Sequence, residues 1–454
     1  MYESTWRKGV SIVIAFAKAT TNRTGGGKRV LTGLARIEQI VGENPDRKLQ
    51  TVMHYVNKGT LKEIHERQVT GKAMGVDQTS KETYDKNLDE NIGDLLGRMK
   101  RFGYRPQPVR RTYIPKEGSD KVRPLGIPSY EDKLVQGVMA EILNIIYEPK
   151  FYDFSFGFRA GRDQHQAIQY LDDKLMGATS WVVDADIKGF FDNVDHKWMI
   201  KFLEHEVEDK NFIRYVGRFL KAGIMEEGKY INTELGVPQG GLISPVLANV
   251  YLHYVLDDWF ERVVKKKLNG KGSMVRYADD AVFCFQYEND ARKFYEAMKQ
   301  RLAKFGLAIS EDKTKIGKFG RFAGKEAEDF DFLGFTFITG KTRSGKYTVI
   351  KVTSQKKLKV KKQKVKIWLR ENMHIPKEQL IAKLNRKLKG HYNYYGLSHN
   401  TDRMYDFYYY IVRQLKKTLS RRSQKGYMSW EKFNKILEHN PVARPKITRP
   451  LWSW

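Results

Sequence analysis

The sequence predicts an α+β fold, a small antiparallel sheet backed by helices in the split-βαβ manner. Three observations carry that expectation. From residue 181 onward the hydrophobic pattern runs in the order β, α, α, ββ, α, β. Pro149 and Gly306 close segments where the period changes. Of 454 residues, 41% are hydrophobic, enough for real cores in two to four domains at the usual ~100–200 residues each.

Taken in order, residues 1 to about 75 are basic and weakly patterned, with "TGGGKR" reading as a flexible loop; its "GGGK" lacks the spacing of a P-loop. Ile92, Leu95, Leu96 and Met99 share one side of a short helix that Gly103, Pro106 and Pro108 stop. "RRTYIPKEGSDKVRPLGIP" reads as a hairpin turning at Gly118, Ser119 and Asp120. Ser129 and Asp132 predict a capping box for the helix "EDKLVQGVMAEILNIIYE". "WVVDADI" is a buried strand, "HKWMIKFLEHEV" a helix, and "SPVLANVYLHYVLDDWFERVVKKK" a long helix with Ser244 as N-cap and Pro245 in its first turn. "MVRYADDAVFCF" gives two strands, "NDARKFYEAMKQRLAKFG" a helix and "LAISEDKTKI" a further strand. After Asp331 no acid occurs until Glu371, and "KKLKVKKQKVKIWLR" is the strongest local concentration of positive charge.

Lys and Arg number 82 against 53 Asp and Glu, a formal charge of +29 and a pI near 9.7, which predicts attraction to a polyanion, nucleic acid first. No apolar run approaches the ~18 residues of a membrane span, and "VSIVIAFA" lacks a cleavage pattern, so the expectation is a cytoplasmic protein without membrane partners. The single cysteine, Cys284, excludes an internal disulfide and a Cys-rich zinc site.

In this basic chain, "RYADDAVFCF" sets Asp279 and Asp280 where two predicted strands meet. Most acidic pairs are solvated, and Asp257-Asp258, Asp172-Asp173 and Asp89-Glu90 read that way. A hairpin turn instead lets consecutive side chains both reach outward, whereas a strand sends them to opposite faces. Asp184 and Asp186 in "DADI" share one strand face, and a carboxylate from that strand joined to the pair suits Mg²⁺. "GVPQGGLISP" adds a Gly-rich bend bearing Gln239 before a helix start, where backbone amides approach a base or sugar closely.

These blocks, with "YIPKEGSDKVRPLGIPSYEDKLVQ", "FSFGFRAGRDQHQAI", "LAISEDKTKI", "FDFLGFTF" and "LNRKLKGHYNYYGLS", resemble the reverse transcriptases encoded by bacterial group II introns, the intron maturases. The resemblance runs from about residue 70 to the end. It implies a right-hand polymerase: fingers over 76–180, a palm with the small antiparallel sheet over 181–340 with part of the fingers inserted near 197–235, a helical thumb or maturase domain over 341–415 and a basic tail over 416–454, after an N-terminal extension over 1–75.

Carried onto this chain, the resemblance makes Asp186, Asp279 and Asp280 catalytic and, with Ile187, metal-holding, Asp279 being the principal ligand of the pair and Asp184 structural. Lys116 and Arg123 grip triphosphate, and Lys313 assists the leaving pyrophosphate; Phe191 excludes a 2′-hydroxyl, and Ile187, Gln239 and Gly240 complete the nucleotide pocket. Arg159 and Arg162 contact the template backbone, and Phe332, Leu333 and Gly334 belong to the primer grip. The implied cofactor is Mg²⁺, two ions, with Mn²⁺ as substitute. The implied partners are intron RNA, an RNA template with DNA primer, target DNA and dNTPs. "HYNYYG" suits base stacking, or a tyrosine core; His391 there departs from a more usual Trp. No zinc-supported HNH endonuclease is expected, since one Cys and scattered His do not frame one.

Two other readings stay open: a non-catalytic RNA-binding splicing chaperone, and a reverse transcriptase repurposed for repair or phage defence. The intact carboxylates, Gln239, Lys116 and Arg123 argue against the first, and the blocks after residue 340 favour the intron class over other siblings.

Overall fold

The computed structural model describes residues 32–115, 122–422 and 427–449; the "TGGGKR" loop, Lys116 and the turn at 118–120 lie outside them. Two compact units emerge, the first built from residues up to Lys174 with Trp181–Ile316, the second from Leu175–Ser180 with residues from Gly317 onward.

The first unit opens with helices α1 (Ala35–Glu43), α2 (Lys58–Arg67), α3 (Lys81–Asp85) and α4 (Leu88–Lys100). As its spacing predicts, α4 buries Ile92, Leu95 and Met99. Strands β1 (Val109–Pro115) and β2 (Val122–Ile127) pair antiparallel from Arg110↔Ile127 to Pro115↔Val122. Helix α5 (Tyr130–Tyr147) is buried on nearly every face, so it serves as the spine of this core. Ser129 is its N-cap residue but not through a capping box: its hydroxyl donates to the Asp132 carboxylate at 2.5 Å. Asp132 also accepts from Tyr104 and from the Gln107 amide, and burial pushes its carboxyl up to about 6 despite those bonds.

Helix α6 (Gln164–Met176) leads to strand β3 (Trp181–Asp186), then α7 (His196–Glu204) and α8 (Lys210–Leu220). Phe212, Tyr215, Val216, Phe219 and Leu220 form one apolar stripe on α8, each large side chain contributing about 1.5–3 kcal/mol on burial. Short strands β4 (Ile224–Glu226) and β5 (Lys229–Ile231) extend the first hairpin into a sheet of order β2-β1-β4-β5; three-residue strands leave no readable period. The long helix starts at α9 (Ser244–Leu252), with Ser244 already inside it rather than capping it, its hydroxyl donating to Pro238 O at 2.8 Å. It continues to Lys267, but His253–Asp257 and Phe260–Val264 are π-helical.

Strands β6 (Gly272–Tyr277) and β7 (Asp280–Phe285), helix α10 (Glu288–Lys304) and strand β8 (Lys315–Lys318) complete a sheet of order β6-β7-β3-β8. The strand expected over "LAISEDKTKI" is therefore shorter than its pattern, beginning only at Lys315. Cys284 is core.

In the second unit, β9 (Phe330–Phe332), β10 (Phe335–Lys341) and β11 (Tyr347–Thr353) form an antiparallel sheet, followed by α11 (Gln355–Glu371), α12 (Lys377–Tyr395), α13 (Thr401–Ser420) and α14 (Trp430–His439). The charged segment "KKLKVKKQKVKIWLR" is helical, burying Leu358 and Leu369, with Lys356, Lys359 and Lys366 exposed and its other lysines half-buried. Among the described residues no helix is long and apolar enough to cross a membrane.

Candidate active site

The acids meet at one end of the β6-β7-β3-β8 sheet. Antiparallel pairing sets Asp186, the last residue of β3, opposite Asp280, the first of β7. Residues so paired hold their Cβ atoms about 4.5–5.5 Å apart on one face. Tyr277 pairs with Asp280 across β6 and β7, so Ala278 and Asp279 alone make the turn, and Asp279 sits one residue beyond the facing pair. Ala278 has φ 58°, the left-handed conformation that two-residue hairpins require at their first position.

Asp279 is half-buried and Asp280 exposed. Burial raises the Asp279 carboxyl above the ordinary carboxylate range, and neighbouring Asp186 adds to the rise; a backbone hydrogen bond, Arg123 and Arg276 oppose it. Asp186 is tied through its backbone, its carbonyl accepting from Ser310 N at 2.8 Å and its amide donating to Thr314 Oγ1 at 3.3 Å. Its carboxylate takes Lys313 Nζ at 2.6 Å. Among the described residues no three His, Cys, Asp or Glu side chains converge as a ready metal cage. Mg²⁺ does not need one: it binds through one or two carboxylates and completes its shell with water and phosphate oxygens, and the hard oxygens of Asp186 and Asp279 fit that habit. The Ile187 side chain is core and its backbone pairs with Ile309 in an isolated antiparallel bridge, so only backbone atoms of Ile187 are able to serve the site.

The predicted nucleotide-side residues also gather. Phe191 lies in a single 3₁₀ turn just after β3, half-buried against Phe190, and its carbonyl accepts from Val237 N at 2.7 Å. Two residues on, Gln239 O accepts from Gly126 N of β2 at 2.6 Å. Gly240, at φ 116°, is held so close that a Cβ would lie 2.5 Å from Gly126 O. The bend thus ties Phe191 to β2, the strand bearing exposed Arg123.

Other expectations change. Arg159 is buried: Nε and Nη2 bind the Glu148 carboxylate, and Nη1 donates at 2.7 Å to both Tyr152 O and Ser155 O. Its donors are occupied inside the fold, which is incompatible with gripping a template. Arg162 is half-buried, paired with Asp153 at 2.7 Å over the Phe156 ring. Asp257, read as solvated, is fully buried with Arg276. In the second unit "HYNYYG" is core rather than a stacking platform, with His391, Tyr392 and Tyr395 buried. Phe332, Leu333 and Gly334 form the β9–β10 hairpin, Leu333 O accepting from Tyr394 Oη at 2.9 Å. Sequence reasoning missed Arg276, Asn249 and Gly157 around the acid turn; the one available signal was an arginine inside the apolar run "SMVRY", which a buried strand tolerates only with partners.

Residues 114–337 match the reverse transcriptase (RNA-dependent DNA polymerase) family and residues 358–435 the group II intron maturase-specific domain. Protein YkfC of Escherichia coli (strain K12) is 31% identical over 317 residues, covering 62% of this chain and 80% of that protein. The chain belongs to the group II intron reverse transcriptases. Its reverse transcriptase and maturase matches make it an intron-encoded reverse transcriptase that aids intron splicing and mobility. Among similar proteins, the group II intron-encoded protein LtrA of Lactococcus lactis subsp. cremoris is 29% identical over 484 residues, 88% of this chain and 79% of its own. The putative COX1/OXI3 intron 1 protein of Saccharomyces cerevisiae is 34% identical over 286 residues, 52% of this chain and 34% of its own. The reverse transcriptase match contains every acid of the β3 and β7 pairing as well as Phe191 and Gln239.

Proposed function

We propose that the intron reverse transcriptase extends a DNA primer on an RNA template at the Asp186–Asp279 site, within a right-hand arrangement of fingers, palm and thumb. The observation that carries this reading is the register that sets Asp186 across from Asp280, with Asp279 in the adjoining turn. In the reaction the primer 3′-hydroxyl attacks the α-phosphate of a dNTP and pyrophosphate leaves. Two Mg²⁺ ions, or Mn²⁺ in their place, supply activation of the hydroxyl and stabilisation of the leaving group when bound. Asp186, Asp279 and the Ile187 backbone hold them, with Asp280 alongside.

The remaining roles belong to side chains. Lys313, which neutralises Asp186, exchanges that partner for phosphate oxygens as substrate enters. Arg123 and Lys116 attract the triphosphate. Phe191, fixed through Val237, lies under the sugar and disfavours a 2′-hydroxyl, while Gln239 and Gly240 line the pocket. Arg162 approaches the template backbone, and the Phe332–Gly334 turn supports the primer. The basic face of α11 neutralises the phosphates of intron RNA.

Primer extension with purified protein tests the reading. Asp186→Ala and Asp279→Ala each abolish extension of a DNA primer on RNA, and normal extension by either refutes the assignment. Phe191→Ala raises incorporation of NTPs relative to dNTPs, and an unchanged ratio removes Phe191 from that role. No synthesis by the unaltered chain with RNA or DNA templates, dNTPs or NTPs, would leave an RNA-binding splicing chaperone.

A further inference from the structure

Arg276, two residues before the Ala278–Asp279 turn, is fully buried, as is its partner Asp257. A guanidinium has five N–H donors, and all five are engaged. Nε donates to Asp257 Oδ1 at 2.7 Å and Nη2 to Asp257 Oδ2 at 2.5 Å and Ser155 Oγ at 2.7 Å. Nη1 donates to Asn249 Oδ1 at 3.0 Å and to Ala278 O at 2.9 Å.

The last contact bears on chemistry. The Ala278 carbonyl shares a rigid peptide plane with the Asp279 N and Cα, so fixing that oxygen places the backbone from which the Asp279 side chain starts. Local propensity works against the turn, because a left-handed alanine costs roughly 1–2 kcal/mol that a glycine would not. The surroundings impose it. Phe156 N donates to Arg276 O at 2.9 Å, Arg276 N to Phe154 O at 2.8 Å, and Asn249 Nδ2 to Gly157 O at 2.7 Å. Gly157 packs so tightly on the turn that a Cβ would lie 2.2 Å from Ala278 N. Asp257 closes the π-helical stretch His253–Asp257, an irregularity frequent at functional sites. Replacing a buried ion pair by apolar residues often leaves stability unchanged or improved, so stability alone is a poor reason for one beneath an active-site turn.

We propose that Arg276, held by Asp257, Asn249 and Ser155, is a positioning residue for polymerisation: it fixes the Ala278–Asp279 peptide and thereby aims the Asp279 carboxylate, without touching substrate. This rests on Asp279 being catalytic.

The test uses the full chain with Arg276→Lys, which keeps the charge but lacks the fork, and Ser155→Ala as a milder variant that removes one of the five bonds. Asp279→Ala is the reference. Four quantities are read: kcat and KM for dNTP, the Mg²⁺ concentration at half-maximal rate, affinity for a labelled RNA hairpin, and hydrogen exchange along 272–285. Arg276→Lys lowers kcat about tenfold to a hundredfold and raises the Mg²⁺ midpoint, with dNTP KM and RNA affinity within about twofold. Exchange quickens at the turn, and adding Ala278→Gly, which removes the left-handed penalty, recovers part of kcat. Ser155→Ala gives the same pattern at about twofold to fivefold and carries the test alone if Arg276→Lys is insoluble. Unchanged kcat and Mg²⁺ midpoint overturn the proposal. So does a uniform loss, with RNA affinity falling alongside kcat and exchange rising throughout the first unit. Activity retained by Asp279→Ala instead defeats the reading beneath it.

Discussion

The β6–β7 turn, Ala278–Asp279, and the β9–β10 turn, Leu333–Gly334, each reverse the chain in two residues, and each begins with a left-handed non-glycine, Ala278 at φ 58° and Leu333 at φ 50°. Their supports differ. Leu333 is followed by a glycine at φ 81°, so the second position costs nothing, and the turn is secured by Tyr394 Oη on Leu333 O and by Ser354 N on Gly334 O at 3.0 Å. Ala278 is followed by an aspartate, and its conformation is imposed by a buried arginine engaged in a network of distant residues. Asp279 itself is not left-handed, so its carboxylate displaces no glycine; the costly position is Ala278, and the surrounding unit holds it there.

The largest break in that comparison comes from Asp279→Asn. It retains the turn and RNA affinity while extension falls roughly a hundredfold to a thousandfold, measured as kcat on an RNA template. Next in size is Gly334→Ala, which places a Cβ 2.9 Å from Tyr395 Oη in a left-handed backbone; we expect a loss of about 1–3 kcal/mol in urea unfolding of the second unit.

The smallest effect at neutral pH is His391→Phe. The His391 ring lies 4.8 Å from Tyr395 and 4.2 Å from Phe407, and burial, with Lys361 adding to it, drives its pKa down to about 3. A histidine whose folded pKa is depressed stays neutral in the fold while the unfolded chain takes up a proton below ~6.5. The second unit therefore loses up to about 1.4 kcal/mol per pH unit as pH falls from ~6.5 toward 3, and His391→Phe flattens that slope. Equal acid sensitivity of the two proteins would place the proton elsewhere.

What sequence reading reached and what it missed divide along the same line. The acids of β3 and β7 were legible because a hairpin and an alternating strand are local patterns, and "YADD" lies where they meet. The charge of "KKLKVKKQKVKIWLR" was legible directly, while its helix was expected only from the resemblance. Arg159 and Asp257 were misread because burial depends on chain far away: nothing near Asp257 announces that Arg276 closes over it. The π-helical turns escaped because a reading at 3.6 residues per turn carries a helix straight through them. "HYNYYG" carried both a stacking and a core reading, and its packing against Phe335 and Phe407 decides for core.

The second unit takes its first six residues from the middle of the chain. Ser180 O accepts from Phe319 N at 2.9 Å, Met176 O from Arg321 Nη2 at 3.1 Å, and Leu175 O from Tyr347 Oη at 3.2 Å. During synthesis Leu175–Ser180 emerge long before their partners, and wait while all of β3 through α10 is made. The second unit is consequently no cassette. A graft of residues from Gly317 onward, lacking that short stretch, arrives with donors whose acceptors stayed behind.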